Sequence, residues 1–256
     1  LTQKIESQNL QSFGKGTSEA KPFAVSFYVK GNASATYVCE LMDTDNSNRH
    51  IGKTFNVTTD WTRVELTFPA DTTGTFDDDN NQGLNLNIHL HAGSQNTSGT
   101  LQQTWGTLSQ ADRIGSGTTS FFDSTDRTFF ITGVQLEVGQ NPTEFEHEPY
   151  EETLHKCRRY YHKQGTTYGV VIAMQNGTSC YANPTFPREM RASPTVEVDH
   201  NNINLYVQGS KTTSADFAQN VEPRSFQLHL QSSGAGAGDA GHIDAPSLFY
   251  TADAEL

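Results

Sequence analysis

The chain has 256 residues, a net charge of −12, and only 34% hydrophobic and 18% charged residues. A pI near 5.1 sets the surface against nucleic-acid phosphate and anionic lipid, and no run of 18 apolar residues occurs, so neither nucleic-acid binding nor membrane insertion is expected. The remainder is rich in Thr, Ser, Asn, Gln and Gly, a composition that suits short strands and polar turns better than helices.

Residues 1–11, LTQKIESQNLQ, lack the apolar core of a signal peptide. The chain begins with Leu1 rather than methionine, consistent with a preceding segment that has been removed or left out. Residues 23–30 alternate Phe23, Val25, Phe27 and Val29 against Ala24, Ser26, Tyr28 and Lys30, the period of a half-buried strand. Residues 36–42 follow, with Tyr37, Cys39 and Leu41 on one face and Val38, Glu40 and Met42 on the other. A polar turn spans 43–50. Further strands are predicted at 53–58 and 63–68, around Asp60-Trp61. A long acidic loop covers 71–83. Residues 84–91, LNLNIHLH, alternate strictly, with Leu84, Leu86, Ile88 and Leu90 inward and Asn85, Asn87, His89 and His91 outward. Residues 93–117 read as loop and carry Trp105; 128–138 close the region. About eight strands with no helical stretch predict an antiparallel jelly-roll sandwich over 1–149.

Residues 131–163 change the period. Val134, Leu136 and Val138 alternate as a strand, and Gly139-Gln140-Asn141-Pro142 ends it. Beyond Pro149, Leu154, Cys157 and Tyr161 recur at helical spacing with Tyr160 beside them. Glu151 and Glu152 fall in the first turn, and Lys156, Arg158, Arg159 and Lys163 near the end, as a helix dipole favours. A short connecting helix is predicted over 150–163. Such a helix is too short to stand alone, so it must pack on a domain or on copies of itself.

Beyond it, strands are predicted at 170–174, 202–208, 225–231 and 242–250, with 186–196 extended because of Pro187 and Pro194. The run 234–241, GAGAGDAG, reads as a surface loop; it lacks the strand-to-helix context of a phosphate-binding turn. The fold class is therefore all-β: two antiparallel sandwiches, 1–149 and a smaller 164–256, joined by the helix 150–163.

The sequence ITGVQLEVG…TEFEHEPYEETLHKCRRYY closely resembles a linker of bacteriophage structural proteins, above all tail-fibre and related virion proteins of marine and cyanobacterial phages. Gly133–Glu137, Thr143, Phe145, Glu146, Tyr150, Leu154, Cys157, Arg159, Tyr160 and Tyr161 keep the pattern; Glu148 stands where Arg is usual and Arg158 where Gln is usual. Residues 1–149 resemble the domain preceding that linker, itself similar to carbohydrate-binding-module jelly rolls. FPREMRASPTV, 186–196, resembles the segment that follows the linker. The resemblance implies a virion protein assembled in the host cytoplasm. It further implies a homotrimer with Leu154, Cys157, Tyr160 and Tyr161 at or near the threefold axis, contacts with other virion proteins, and host-surface glycan binding. A capsid-decorating or adaptor role is the alternative, and a glycan depolymerase a further one.

Candidate chemistry is sparse. Asp43-Thr44-Asp45-Asn46 starts like a calcium loop, but Thr54 stands where the twelfth-position glutamate belongs. Asp77 and Asp79 form a second oxygen-rich turn, so Asp43, Asp45, Asp77 and Asp79 are the candidate ligands for a structural calcium; no other cofactor is implied. His89 and His91, two apart, lack a third metal ligand. With Asn87 they could line a sugar-binding face. Trp105, in a loop, is the expected stacking residue, whereas Trp61 is expected in the core. No nucleophile elbow, zincin or Walker motif occurs, so no catalytic residue is assigned. A paired-carboxylate glycosidase stays formally open, because its acids need be close only in space; Glu144, Glu146 and Glu148 alternate near the linker and read as solvating it or bridging to Arg158 and Arg159. Cys39, Cys157 and Cys180 have no metal spacing and read as buried free thiols.

Overall fold

A computed structural model describes all residues except 177, 200–202, 209, 213–214, 232–235 and 248. The chain divides into two compact units, Leu1–His147 and Glu148–Glu255. Both are built of antiparallel strands.

The first unit contains β1 (Thr2–Glu6), β2 (Phe23–Gly31), β3 (Ala35–Asp43), β4 (Arg49–Val57), β5 (Thr62–Phe68), β6 (Gln82–His89), β7 (Gly106–Thr107) and β8 (Phe129–Val138). They form a five-stranded sheet, β1-β6-β3-β4-β7, and a three-stranded sheet, β5-β2-β8. The alternating residues read from sequence supply the core between them: Phe23, Phe27, Tyr37, Leu41, Phe68 and Leu84 are each at most 1% exposed. Fully burying an aliphatic or aromatic side chain of this size contributes about 1.5–3 kcal/mol. Strand β1 was not foreseen. Its only apolar side chain is Ile5, and it is an edge strand held by its register on β6, from Thr2 opposite Asn87 to Ile5 opposite Leu84. The unit is also not free of helix. A 3₁₀ segment, Ser7–Phe13, buries Leu10 and Phe13, and α1 (Ser94–Thr97) is a single turn.

Strand β8 departs from its expected pattern at one point. Ser26 faces Gln135 and Tyr28 faces Thr132, so Phe27 alone opposes Gly133 and Val134. This bulge reverses the inward parity. Phe129 and Ile131 pack on the core before it, and Leu136 and Val138 after it. Val134, expected inward, is 45% exposed. Gly133 sits at φ +58°, where a side chain is strained.

The second unit opens with α2 (Tyr150–Cys157), which starts after Pro149 and carries Glu151 and Glu152 in its first turn. It ends six residues before the predicted limit. Arg158 N–H caps it on Leu154 O, Tyr160 N–H bonds Cys157 O, and Tyr161–Gln164 is strand β9. The spacing of Leu154, Cys157 and Tyr161 mimicked one helical face. Pairing to the C-terminal strand overrides it, with His162 opposite Ala252. The remaining strands are β10 (Thr167–Ala173), β11 (Ser179–Ala182), β12 (Thr195–Val198), β13 (Asn204–Val207), β14 (Ser210–Thr212), β15 (Ala215–Glu222), β16 (Ser225–Gln231), β17 (Ala240–Ala245) and β18 (Tyr250–Asp253). Their sheets are ordered β10-β17-β13-β14, β11-β16-β15 and β12-β18-β9. Phe226, Leu228, Leu205, Met190 and Tyr250 fill the core. Of the predicted strand 202–208 and loop 234–241, residues 202, 234 and 235 lie outside the described residues, as does 248 of the strand predicted at 242–250.

One charged group in the first core is fixed by its surroundings. Lys15, with a side chain 0% exposed, ion-pairs with Asp43 and lies 3.3 Å from Asp71. It also donates to Thr73 O at 2.9 Å and Gly74 O at 2.8 Å. Arg49 completes the group on Asp71 through two bonds of 2.9 and 3.0 Å. Burial pushes the Asp71 carboxyl up, but the Arg49 bond, the Thr73 N–H and the Lys15 charge outweigh it and hold the carboxyl below its usual range. Removing one partner of a buried pair leaves an uncompensated charge, so Lys15→Met is expected to lower stability by about 3–5 kcal/mol. Urea unfolding of the full chain, followed by tryptophan fluorescence, measures this.

Candidate functional site

The outer face of the five-stranded sheet is the expected sugar-binding surface, and the chain closes most of it. Glu40 on β3 points outward from the core yet is 0% exposed. Its carboxylate accepts from Asn87 Nδ2 at 2.9 Å and lies 3.1 Å from His50 Nδ1 and 2.8 Å from His89 Nε2. Arg113, from the long loop after β6, reaches back and binds both oxygens, Nε on Oε1 and Nη2 on Oε2, each at 2.9 Å. Desolvation alone would raise the Glu40 carboxyl; the bonds to His50, His89 and Arg113 prevail and hold it far below the usual carboxylate range.

The same loop covers Gly52. Gly52 N–H donates to Gln102 O at 2.8 Å, and a Cβ on Gly52 would meet Leu101 Cδ1 at 2.7 Å. The loop holds itself in this shape through Thr100 N–H on Asp112 Oδ1 and Gln102 N–H on Asp112 O, both 2.9 Å.

The predicted sugar-binding set is therefore not one surface. Asn87 is buried and His89 partly buried, both committed to Glu40. Trp105 is partly buried against the core, 5.5 Å from Phe23 between ring centroids, and its indole N–H donates to Pro69 O at 2.7 Å. Trp61, expected in the core, is 51% exposed in the turn before β5. The two tryptophans have exchanged roles, because Thr58 and Asp60 close a turn that leaves Trp61 outside.

His91 alone opens into a cleft. It lies past the end of β6 and borders a space of about 260 Å³ with Ala92, Thr97 and the segment 116–120. Thr119 N–H on Thr36 O at 2.9 Å and Phe121 N–H on Leu90 O at 2.8 Å pin the far wall to β3 and to the residue following β6. Ser120 Oγ lies 2.8 Å from His91 Nδ1 and accepts the Phe122 N–H at 3.1 Å. Phe122 is 74% exposed and stands edge-on to the His91 ring, with centroids 5.1 Å apart. Sequence reasoning missed Phe122. The available signal was a Phe-Phe pair in a loop otherwise made of Ser, Thr, Asp and Gly.

The candidate calcium ligands are likewise apart in role. Asp43 neutralises Lys15. Asp45 accepts from Ser7 Oγ at 2.9 Å and from Asp77 N–H at 3.1 Å. Asp77 is exposed, and Asp79 caps its own turn on Asn81. Among the described residues, no group of three or more His, Cys, Asp or Glu side chains is arranged to hold a metal ion. Cys39 and Cys180 are buried, but Cys157 is exposed. Of the expected interface residues, Leu154 and Tyr160 are partly buried, and Cys157 and Tyr161 are exposed. Tyr161 stands on β9 rather than on α2.

Fold and site together define an all-β protein of two antiparallel units whose first unit offers a loop-built cleft, with an exposed aromatic ring beside it. No family model and no curated relative matches the sequence. Two solved structures are similar to it, wild-type and recombinant native discoidin II from Dictyostelium discoideum. They are 12% and 14% identical, cover 91% and 92% of this chain and 71% and 74% of theirs, and superpose with TM-scores of 0.24 and 0.22.

The Glu40 cluster has a definite acid signature. Its folded pKa is depressed, so the stability it contributes is complete above the ordinary carboxylate pKa of about 4.3 and is lost as pH falls towards the folded value. Glu40→Gln is expected to cost about 3 kcal/mol at pH 7 and progressively less below pH 4. Urea titrations of both proteins between pH 2 and 7 check the narrowing gap.

Proposed function

We propose that this chain is a non-enzymatic display and adhesion protein of a bacteriophage virion, and that its first unit binds a glycan at the His91–Phe122 cleft. The carrying observation is the exposed Phe122 ring beside a cleft rimmed by hydroxyls. An aromatic face packs on the C–H face of a pyranose, while hydroxyl and imidazole groups exchange hydrogen bonds with its hydroxyls. Ser116 and Thr118 offer hydroxyls there, and the cleft lies on loops at a sheet end, where binding residues concentrate. The phage origin rests on the sequence resemblance across the 131–163 segment and on the residues before it. The buried carboxylates favour binding over catalysis in this reading, since Glu40 and Asp43 are both locked in ion pairs.

Assembly as a homotrimer belongs to the same proposal, with Cys157 and Tyr161 as its exposed contributors. The single helical stripe first expected does not form. Light scattering coupled to size exclusion is expected to give a mass near three times 28.2 kDa; a mass of one chain removes the trimer and favours an adaptor role.

Phe122→Ala is expected to weaken glycan binding at least about tenfold while leaving the melting temperature unchanged, as removal of a central aromatic typically costs about 2 kcal/mol. A glycan array followed by calorimetry on the best hit reads this. Trp105→Ala is expected to lower stability instead. Retained binding in Phe122→Ala, or release of sugar fragments, overturns the reading.

A further inference from the structure

A second recess lies on the outer face of the three-stranded sheet, away from the His91 cleft in sequence and in sheet. Its floor is the bulged Gly133. The segment 139–146 folds back along β8 to build its wall. Glu137 accepts from Thr143 N–H at 2.7 Å and Thr143 Oγ1 at 2.9 Å. Gln135 Oε1 accepts Glu146 N–H at 2.9 Å, and its Nε2 donates to Thr143 Oγ1 at 3.1 Å. Thr67 Oγ1 holds Gln140 O at 2.5 Å. These bonds place Phe145 over Gly133. The motif shared with phage linkers thus has a local physical role, the fixing of this return.

The walls are chemically specific. A Cβ on Gly133 would lie 3.2 Å from Tyr28 Cδ2 and 3.6 Å from Phe145 Cδ2. Two rings therefore approach one point by their edges. His147 stands edge-on to Phe145 with centroids 4.9 Å apart. Glu144 and Thr132 complete a space of about 380 Å³. Among the described residues the Glu144 carboxylate has no ion-pair partner, and no Lys or Arg occurs between Arg127 and Lys156. Arg63, opposite Tyr28 on β5, is committed to Glu65 at 2.5 Å and to Thr143 O.

We infer that this recess binds a quaternary ammonium group. Aromatic faces attract a cation through the ring quadrupole, and a carboxylate at the rim adds charge attraction. The choice of a quaternary over a primary ammonium follows from the donor count. A primary ammonium brings three N–H donors, whose bonds to water it must give up on entering a recess walled by Tyr28, Phe145 and His147; a quaternary ammonium brings none and has none to lose. The site is independent of the glycan cleft.

The test titrates the full chain with choline, following aromatic resonances by NMR. Saturable shifts of Tyr28, Phe145 and His147 are expected. The neutral isostere 3,3-dimethylbutan-1-ol should bind at least about fivefold more weakly. Glu144→Gln should weaken choline about three- to tenfold and Tyr28→Ala at least about tenfold, while Phe122→Ala leaves it unchanged. Glu144 is exposed, so its variant stays folded. No saturable shift, equal binding of the isostere, tighter binding of n-butylamine, or an unchanged affinity in Glu144→Gln and Tyr28→Ala overturns the proposal.

Discussion

The constraint on which the first unit depends is the placement of Glu40. Strand β3 pairs with β4 on one side and β6 on the other, so its odd residues enter the core and its even ones face outward. An ionised carboxylate in the middle of that outward face would ordinarily be solvated. Here it is sealed, and a sealed charge needs a partner. The loop after β6 supplies Arg113, and the approach of Arg113 brings Leu101 onto Gly52. The covering of the sheet, the burial of Asn87 and the withdrawal of His89 from solvent all follow from that one salt bridge. The sheet end, where the loop 116–122 is anchored but not covered, is left open.

The second constraint is the bulge at Gly133. By inserting one residue opposite Phe27 it reverses which side chains of β8 face inward, and it tips Gly133 into a conformation that glycine tolerates. Glu137 and Gln135, on the outer face beyond it, then gather the return segment. A strand that began as a core element thereby becomes the foundation of a surface recess.

Most of the fold was legible because period-2 alternation reports burial directly, and residues 23–30, 36–42 and 84–91 alternate cleanly. What the sequence hid has particular causes. Strand β1 has one apolar residue and exists by pairing. Val134 was misplaced because a bulge leaves no mark on composition beyond a glycine. Tyr161 was assigned to a helix because i+3 and i+7 spacing is shared by chance with a strand start. The site was less legible than the fold. His91 was identified, but its neighbours Ser120 and Phe122 are some thirty residues away along the chain, and only the pinning of 119–121 to the sheet end brings them together. Trp105 and Trp61 exchanged roles because residue size predicts burial only on average.

The acidic loops carry the same lesson in electrostatic form. Asp43 and Asp71 gather oxygens about a point, and from sequence an acidic loop of this kind is indistinguishable from a metal loop. The cation at that point is Lys15, twenty-eight residues before Asp43, lying near the faces of Phe76 and Trp105 at 5.2 and 5.7 Å from their centroids. A bound ion stabilises a fold only in proportion to its occupancy, which depends on its free concentration. A tethered ammonium is present at fixed stoichiometry, so the loop 69–81 is held by a cation the chain itself carries. The same tether explains why Trp105 lies inward: its ring forms part of the wall around that buried charge and is thereby withdrawn from the surface, leaving Phe122 as the exposed ring beside the cleft.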